Sequence, residues 1–291
     1  MKFTLSLAMT PPGEILELAK EAEATGWDAI ALPDSVFYPE HVSADYPYTA
    51  DGKRFWEGDL PFVDPFISMP AIAAVTDSIP LYTNVYKVVL RQPLLVAKML
   101  GSLAAMFEGR IGIGLGLSWI PEEFAWLGEQ MRTRGKRLDE IIDILRVTMQ
   151  PGWAEYHGDQ YDFDRLMMSP APTRPVPIYV GGHSDAALRR AATRGDGWIG
   201  ANVAPPEIDE LVTRLRAQLD AADRDVDGFE VKLTPLVLAT PEAMGPVFDQ
   251  GVTDVITVPW LYHGPGPFSL DEKVEHIHRF AGEVIGPLRA G

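Results

Sequence analysis

The chain has 291 residues, 46% hydrophobic and 23% charged, with 41 acidic against 25 basic side chains and a formal net charge of -16. An acidic chain without a clustered Lys/Arg patch excludes a nucleic-acid surface, because neutralising phosphates needs such a patch. It has no cysteine, which excludes disulfides, thiolate zinc sites and cysteine nucleophiles; redox work would need a bound cofactor.

Residues 3–9 read as a first strand. Pro11, Pro12 and Glu14 interrupt its apolar run too early for a secretory leader, and no run is long enough to cross a membrane, so a cytoplasmic protein is expected. A helix over 12–25 ends at Gly26, which suits a left-handed cap. After a strand at 28–33 comes a long segment, 34–63, carrying Tyr46, Tyr48, Phe55 and Trp56; its length and aromatic content predict a lid or binding loop. Helix 64–77, strand 81–85, helix 93–107 with Pro93 in its first turn, and strand 110–115 follow with short connections. Helical pattern continues over 122–127 and 132–149, and 153–174 is a second irregular segment with a hairpin around 156–161. Strands at 178–180, 197–200, 230–238 and 254–259 then alternate with helices at 184–194, 205–222, 241–250 and 270–285.

Eight strands alternating with eight helices predict an α/β fold, the (β/α)8 TIM barrel, as a single domain over 1–291 with insertion loops after the second and fourth strands. An open doubly wound sheet also alternates but usually has fewer units. In a barrel the ligand site lies at the carboxyl ends of the strands, which selects positions near 9, 34, 85, 117, 181, 201, 238 and 260.

Several motifs fall there. In Pro177-Ile178-Tyr179-Val180-Gly181-Gly182-His183-Ser184 a strand ends on two glycines where a helix opens; this is either an anion site or a tight turn with Ser184 as the N-cap. The alternation Gly112-Ile113-Gly114-Leu115-Gly116 either leaves room for a flat ligand or lets small residues fit crowded barrel layers, and it lacks the dinucleotide spacing. Asn84, at the mouth of a buried strand, faces either a ligand or neighbouring loops. Asp34, with Ser35, and His263 are either the best-placed proton-handling groups or a helix cap and a satisfied surface residue. No histidine and carboxylate pattern suggests a metal, and no Gly-x-Ser-x-Gly elbow is present.

The run Ala29 to Asp34, Arg91-Gln92-Pro93 with Ala97-Lys98, Gly112 to Gly116 with Trp119, Pro121 and Glu123, and Pro177 to Ser184 followed by Gly195-Asp196-Gly197-Trp198 resembles, in this order and spacing, the bacterial luciferase-like family. The resemblance covers nearly the whole chain and is strongest to actinobacterial oxidoreductases that use the deazaflavin coenzyme F420. It implies a cofactor, F420 or alternatively FMN, lined by Asp34, Asn84, Val85, Gly116, Gly181, Gly182, His183 and Ser184, with its phosphate near the two glycines. It also implies a bulge in the third strand with a non-proline cis peptide, placed between Asn84 and Val85, that supports the middle ring. Members that oxidise sugar phosphates or alcohols often have His after the strand 2 Asp and Glu after the strand 4 glycines; here those places hold Ser35 and Trp119.

The expected activity is hydride transfer between F420 and an organic small molecule, with Asp34, His263 and Trp119 as catalytic candidates and Trp56, Trp119, Tyr86 and Trp260 walling an apolar pocket. Lys87, Arg91 and Arg189 are the candidates for the anionic F420 tail. The alternatives are an FMN-dependent monooxygenase using reduced flavin and oxygen, and a barrel that binds flavin without turnover. A homodimer is compatible with the sequence, and a flavin or F420 reductase would be a partner if the cofactor arrives reduced.

Overall fold

Short runs of β-branched and aliphatic residues form a ring of parallel strands in the computed structural model, which describes residues 1–49, 51–264 and 266–290. These are β1 (Lys2–Ser6), β2 (Ala29–Leu32), β3 (Leu81–Thr83), β4 (Ile113–Leu115), β7 (Ile178–Gly181), β8 (Gly197–Val203), β9 (Glu230–Pro235) and β10 (Asp254–Thr257). They pair in the order β3-β2-β1-β10-β9-β8-β7-β4. Parallel bridges Leu81 to Ile111 and Tyr86 to Leu115 bring β3 back to β4 and close the barrel. β5 (Trp153–His157) and β6 (Asp162–Met167) form an antiparallel hairpin outside it, longer than the turn expected near 156–161.

The helices between strands are α1 (Ile15–Ala24), α2 (Pro65–Ala73), α3 (Pro93–Met106), α4 (Pro121–Trp126), α5 (Arg134–Thr148), α6 (Asp185–Arg194), α7 (Pro205–Ala221), α8 (Pro241–Asp249) and α9 (Leu270–Phe280); a π-helical turn, Ala281–Ile285, leads into α10 (Gly286–Ala290). Helical spacing puts the apolar residues on the face that meets the barrel: Ile15, Leu18, Ala19 and Ala22 of α1, and Leu138, Ile141, Ile142 and Leu145 of α5, are all buried. Proline opens α2, α3, α4, α7 and α8, where its missing N–H has no helical partner to lose. Among the described residues no helix is long and apolar enough to cross a membrane.

The barrel interior is layered. Toward the amino ends of the strands, Lys232 lies between the rings of Tyr82 and Tyr179, 4.5 Å from each centroid, and its ammonium pairs with Asp254 at 2.7 Å. Above it Ala31, Ile199 and Ile256 form an apolar layer, with Val85 packed against it from the carboxyl side. β9 and β10 end sooner than the sequence suggests, at Pro235 and Thr257, because Pro235 ends the first ladder and Pro259 opens a 3-10 turn (Pro259–His263) after the second.

Candidate functional site

The third strand breaks register at the predicted place. β3 stops at Thr83, the Asn84–Val85 peptide is cis, and pairing resumes at Tyr86, whose N–H donates to the Gly114 carbonyl at 2.7 Å. Val85 projects above the barrel interior. A Cβ added to Gly116 would come within 2.5 Å of Val85 Cγ2, and one on Gly181 within 3.0 Å of Val85 Cγ1. The room left by these two glycines holds Val85, and the room at Gly114 is taken by the Thr83 carbonyl oxygen, with which any side chain there would collide. Glycine alternation in β4 serves packing within the protein, the second of its two readings.

Val85 forms a shelf in the floor of a cavity of about 300 Å³ at the carboxyl ends of the strands. Every barrel strand reaches it, through Met9, Asp34, Asn84, Trp119, Gly181, Ala201, Thr234 and Thr257 or their neighbours. Ser6, Asn84, Asn202, Thr234 and Thr257 supply amides and hydroxyls, Asp34, Arg54 and Lys87 border it with charge, and the rest of the wall is mostly aromatic and aliphatic. Sequence reasoning misses Thr234, Thr257 and Asn202 because single polar residues at strand ends have no pattern.

The loop from Ser35 to Val63 roofs this cavity. Tyr46 is its hub, meeting Tyr48, Trp56 and Trp119 edge-on with centroids 5.5, 5.0 and 5.3 Å away. Burial, and next the proximity of Tyr48, push the Tyr46 phenol up to about 12, so it stays protonated and available as a donor at neutral pH. Trp119 and Trp56 line the cavity as expected, whereas Tyr86 and Trp260 are buried elsewhere in the core.

Asp34 lines the cavity, yet its carboxylate is engaged. Arg91 grips both oxygens, at 2.7 and 2.8 Å, and the Lys87 N–H donates to Oδ2 at 2.8 Å. The residue fixes the chain just beyond the bulge rather than presenting an open oxygen for proton transfer. Lys87 Nζ meets the fully buried Glu123 at 2.6 Å, and Ser118 donates to the other oxygen of Glu123 at 2.5 Å. Two ion pairs thus tie the ends of β2, β3 and β4 together, and Lys87 and Arg91 are committed to carboxylates. Arg189 lies beside Arg190 and Asp139 on the outer side of α6, away from the cavity.

His263 is not brought to the site. The 3-10 turn opened by Pro259 carries it to the surface, where its ring stacks on His276 of α9 with centroids 3.9 Å apart. Of the Gly-Gly turn, Gly181 and Gly182 line the cavity, while Ser184 caps α6 by accepting the Ala187 N–H at 3.3 Å. Gly182 has φ +121, donates to the Ile199 carbonyl at 3.3 Å and accepts the Trp198 indole N–H at 2.7 Å. His183 faces an adjoining cavity with Glu207, Glu210 and Arg214, and its Nε2 accepts the Ala201 N–H at 3.1 Å. Burial, the largest influence, holds this imidazole below its ordinary value, consistent with a neutral ring. Its edge contact with Tyr48, at 5.1 Å, anchors the roof loop.

Comparison with known proteins agrees with this architecture. The family model described as luciferase-like monooxygenase matches residues 3–244. An uncharacterized protein of Mycobacterium tuberculosis is 41% identical over 291 residues, 99% of this chain and 100% of the relative. An F420-dependent glucose-6-phosphate dehydrogenase of Nakamurella multipartita is 30% identical over 223 residues, covering 74% of this chain and 60% of that protein. The coenzyme F420 dependent tetrahydromethanopterin reductase of Methanopyrus kandleri superposes with a TM-score of 0.76 at 16% identity, over 99% of both chains. With the closed parallel barrel, the bulge after β3 and a family match spanning all but the last strand and helices, the chain belongs to the luciferase-like monooxygenase family.

Proposed function

We propose that this protein transfers hydride between coenzyme F420 and an organic substrate enclosed beneath the aromatic loop. The observation that carries the reading is the Val85 shelf, an apolar step seated on Gly116 and Gly181 and bordered by amides and hydroxyls at the mouth of the barrel. That donor set fits a deazaflavin or flavin ring, which has one apolar edge and one edge rich in carbonyls and N–H groups. Val85 would support the ring, Ser6, Asn84 and Thr234 would hold its polar edge, and Gly181 and Gly182 would border its phosphate side. When bound, the cofactor supplies a two-electron hydride. The chain positions that ring, excludes water through Tyr46, Trp56 and Trp119, and offers the Tyr46 hydroxyl as a hydrogen-bond donor to the substrate. The F420-dependent relative from Nakamurella supports F420 over other choices.

One observation favours a second reading, an FMN-dependent monooxygenase. The cations expected along the F420 tail are either paired, Lys87 with Glu123 and Arg91 with Asp34, or off the cavity, and the adjoining cavity carries Glu207 and Glu210. FMN has no such tail. Titrating the purified protein separately with F420 and FMN, followed by absorbance, decides between them. Saturable binding of F420 is expected, and binding of FMN alone would replace the first reading with the second.

A further inference from the structure

Arg54 belongs to the roof loop, and its side chain lines the cavity. The guanidinium lies over the Tyr38 ring, 3.5 Å from the centroid, and Nη2 donates to the Pro39 carbonyl at 3.0 Å. Nη1 is shut off from water and has no acceptor among the described residues, nor does any described carboxylate pair with this side chain. The contrast with its neighbours is sharp: the cations flanking the bulge, Lys87 and Arg91, are each neutralised by a buried carboxylate. In a chain with 41 acidic residues, a guanidinium beside the ligand cavity with no described carboxylate partner leaves its charge to be met by an anion that enters the cavity. Stacking on Tyr38 and the bond to Pro39 fix the position of the guanidinium at the edge of the cavity.

We propose that Arg54 sets substrate class, and that the cavity takes an organic anion: a carboxylate carried on a flat apolar body. The carboxylate pairs with Arg54 where that side chain borders the cavity, and the body lies among Tyr46, Trp56 and Trp119. The inference rests on the reading of this cavity as a substrate site beside a cofactor. It adds that the substrate carries a carboxylate on an apolar body, which separates it from the polar sugar phosphates and the neutral alcohols whose usual His and Glu are replaced here by Ser35 and Trp119.

The test uses 2-naphthoate and its neutral isostere 2-naphthamide as probes, titrated calorimetrically into the full-length protein before and after loading with F420 or FMN. Naphthoate is expected to bind roughly 10- to 100-fold more tightly than the amide, the range of one charge-assisted hydrogen bond. Arg54→Gln is expected to abolish that preference, and Arg54→Lys, which keeps the charge but not the fork, to restore part of it; both variants should melt like the parent. Equal binding of the two probes to the parent protein overturns the proposal, as does a preference that survives in Arg54→Gln. So does a loss in Arg54→Gln of cofactor affinity with the probe preference intact, which would assign Arg54 to the cofactor. A preference that depends on Arg54 in a protein that binds neither F420 nor FMN upholds this inference and removes the hydride-transfer reading.

Discussion

Gly116 offers the most direct test of how the floor of the site is built. Its φ is accessible to any residue, so Gly116→Ala introduces no backbone strain, but the new methyl would lie 2.5 Å from Val85 Cγ2 where carbon contacts normally begin near 3.5 Å. Val85 must retreat by about 1 Å, and since even a Cβ on Gly181 would come within 3.0 Å of its other methyl, the cavity side is where it is expected to move. The expected cost is about 1–3 kcal/mol in stability from overpacking, with cofactor affinity falling tenfold or more as the shelf rises. Val85→Ala alone removes the shelf, losing about 1–2 kcal/mol of burial. In the double variant only a Cβ to Cβ approach of 3.4 Å remains, so the two changes should compensate by at least about 1 kcal/mol. Urea denaturation of the four proteins measures stability, and F420 and FMN titration measures the site. Strict additivity, within about 0.5 kcal/mol, would refute the account of Gly116 as the seat of Val85.

Asp34→Asn leaves Arg91 facing a neutral partner and is expected to cost about 2–4 kcal/mol in urea denaturation; an unchanged midpoint with a lost turnover would instead make Asp34 a proton carrier. Ser184→Ala removes an N-cap and should cost about 1 kcal/mol while leaving F420 and FMN affinity within twofold, so a larger affinity loss would return Ser184 to the cofactor. Gly182→Ala is no clean probe of a phosphate site, since φ +121 and an approach of 3.1 Å to Ala187 Cβ burden the fold itself; a drop in melting temperature without any ligand is expected. The His183 pKa is lowered on folding, so the native state binds fewer protons than the unfolded one and stability falls as pH drops below about 6.5. Denaturation between pH 5 and 8 should show that slope in the parent and a shallower one in His183→Gln, since the His276 pKa is lowered too, and an equal slope in both would remove His183 from the account.

The barrel is legible in the sequence because burial imposes a period: eight short apolar runs each followed by a helical stripe leave few other arrangements, and the positions expected at strand ends fall within a few residues of the cavity. Differences of three and two residues at the ends of β9 and β10 arise where Pro235 and Pro259 end the ladder inside an apolar stretch that reads as continuous strand. His263 escapes its expected place for the same reason, since only four residues separate it from Val258 but the 3-10 turn points it outward against His276. The state of the charged residues is not legible at all. Nothing local in Lys87 or Arg91 shows that their partners lie 36 and 57 positions away at Glu123 and Asp34, and that pairing is what converts three candidate functional groups into a brace for the bulge.

The roof loop gives the remaining prediction. Its length and aromatic content mark it in the sequence as a lid, and the structure shows that it is held over the cavity by side-chain edges: Tyr46 against Trp119 on one side and Tyr48 against His183 on the other. Such contacts contribute about 0.5–1.5 kcal/mol each beyond burial, small enough for the loop to open and close as substrate exchanges. Lys53 is exposed and Arg54 half-buried in that loop, so trypsin reports on it directly. Cofactor together with a bound anion should slow cleavage after Lys53 and Arg54 several-fold, and Tyr46→Ala should raise the rate in the free protein by freeing the hub. A cleavage rate indifferent to both ligands and to Tyr46→Ala would mean that the loop is a fixed wall, and the exclusion of water by Trp56 and Trp119 would then hold in the open and the bound protein alike.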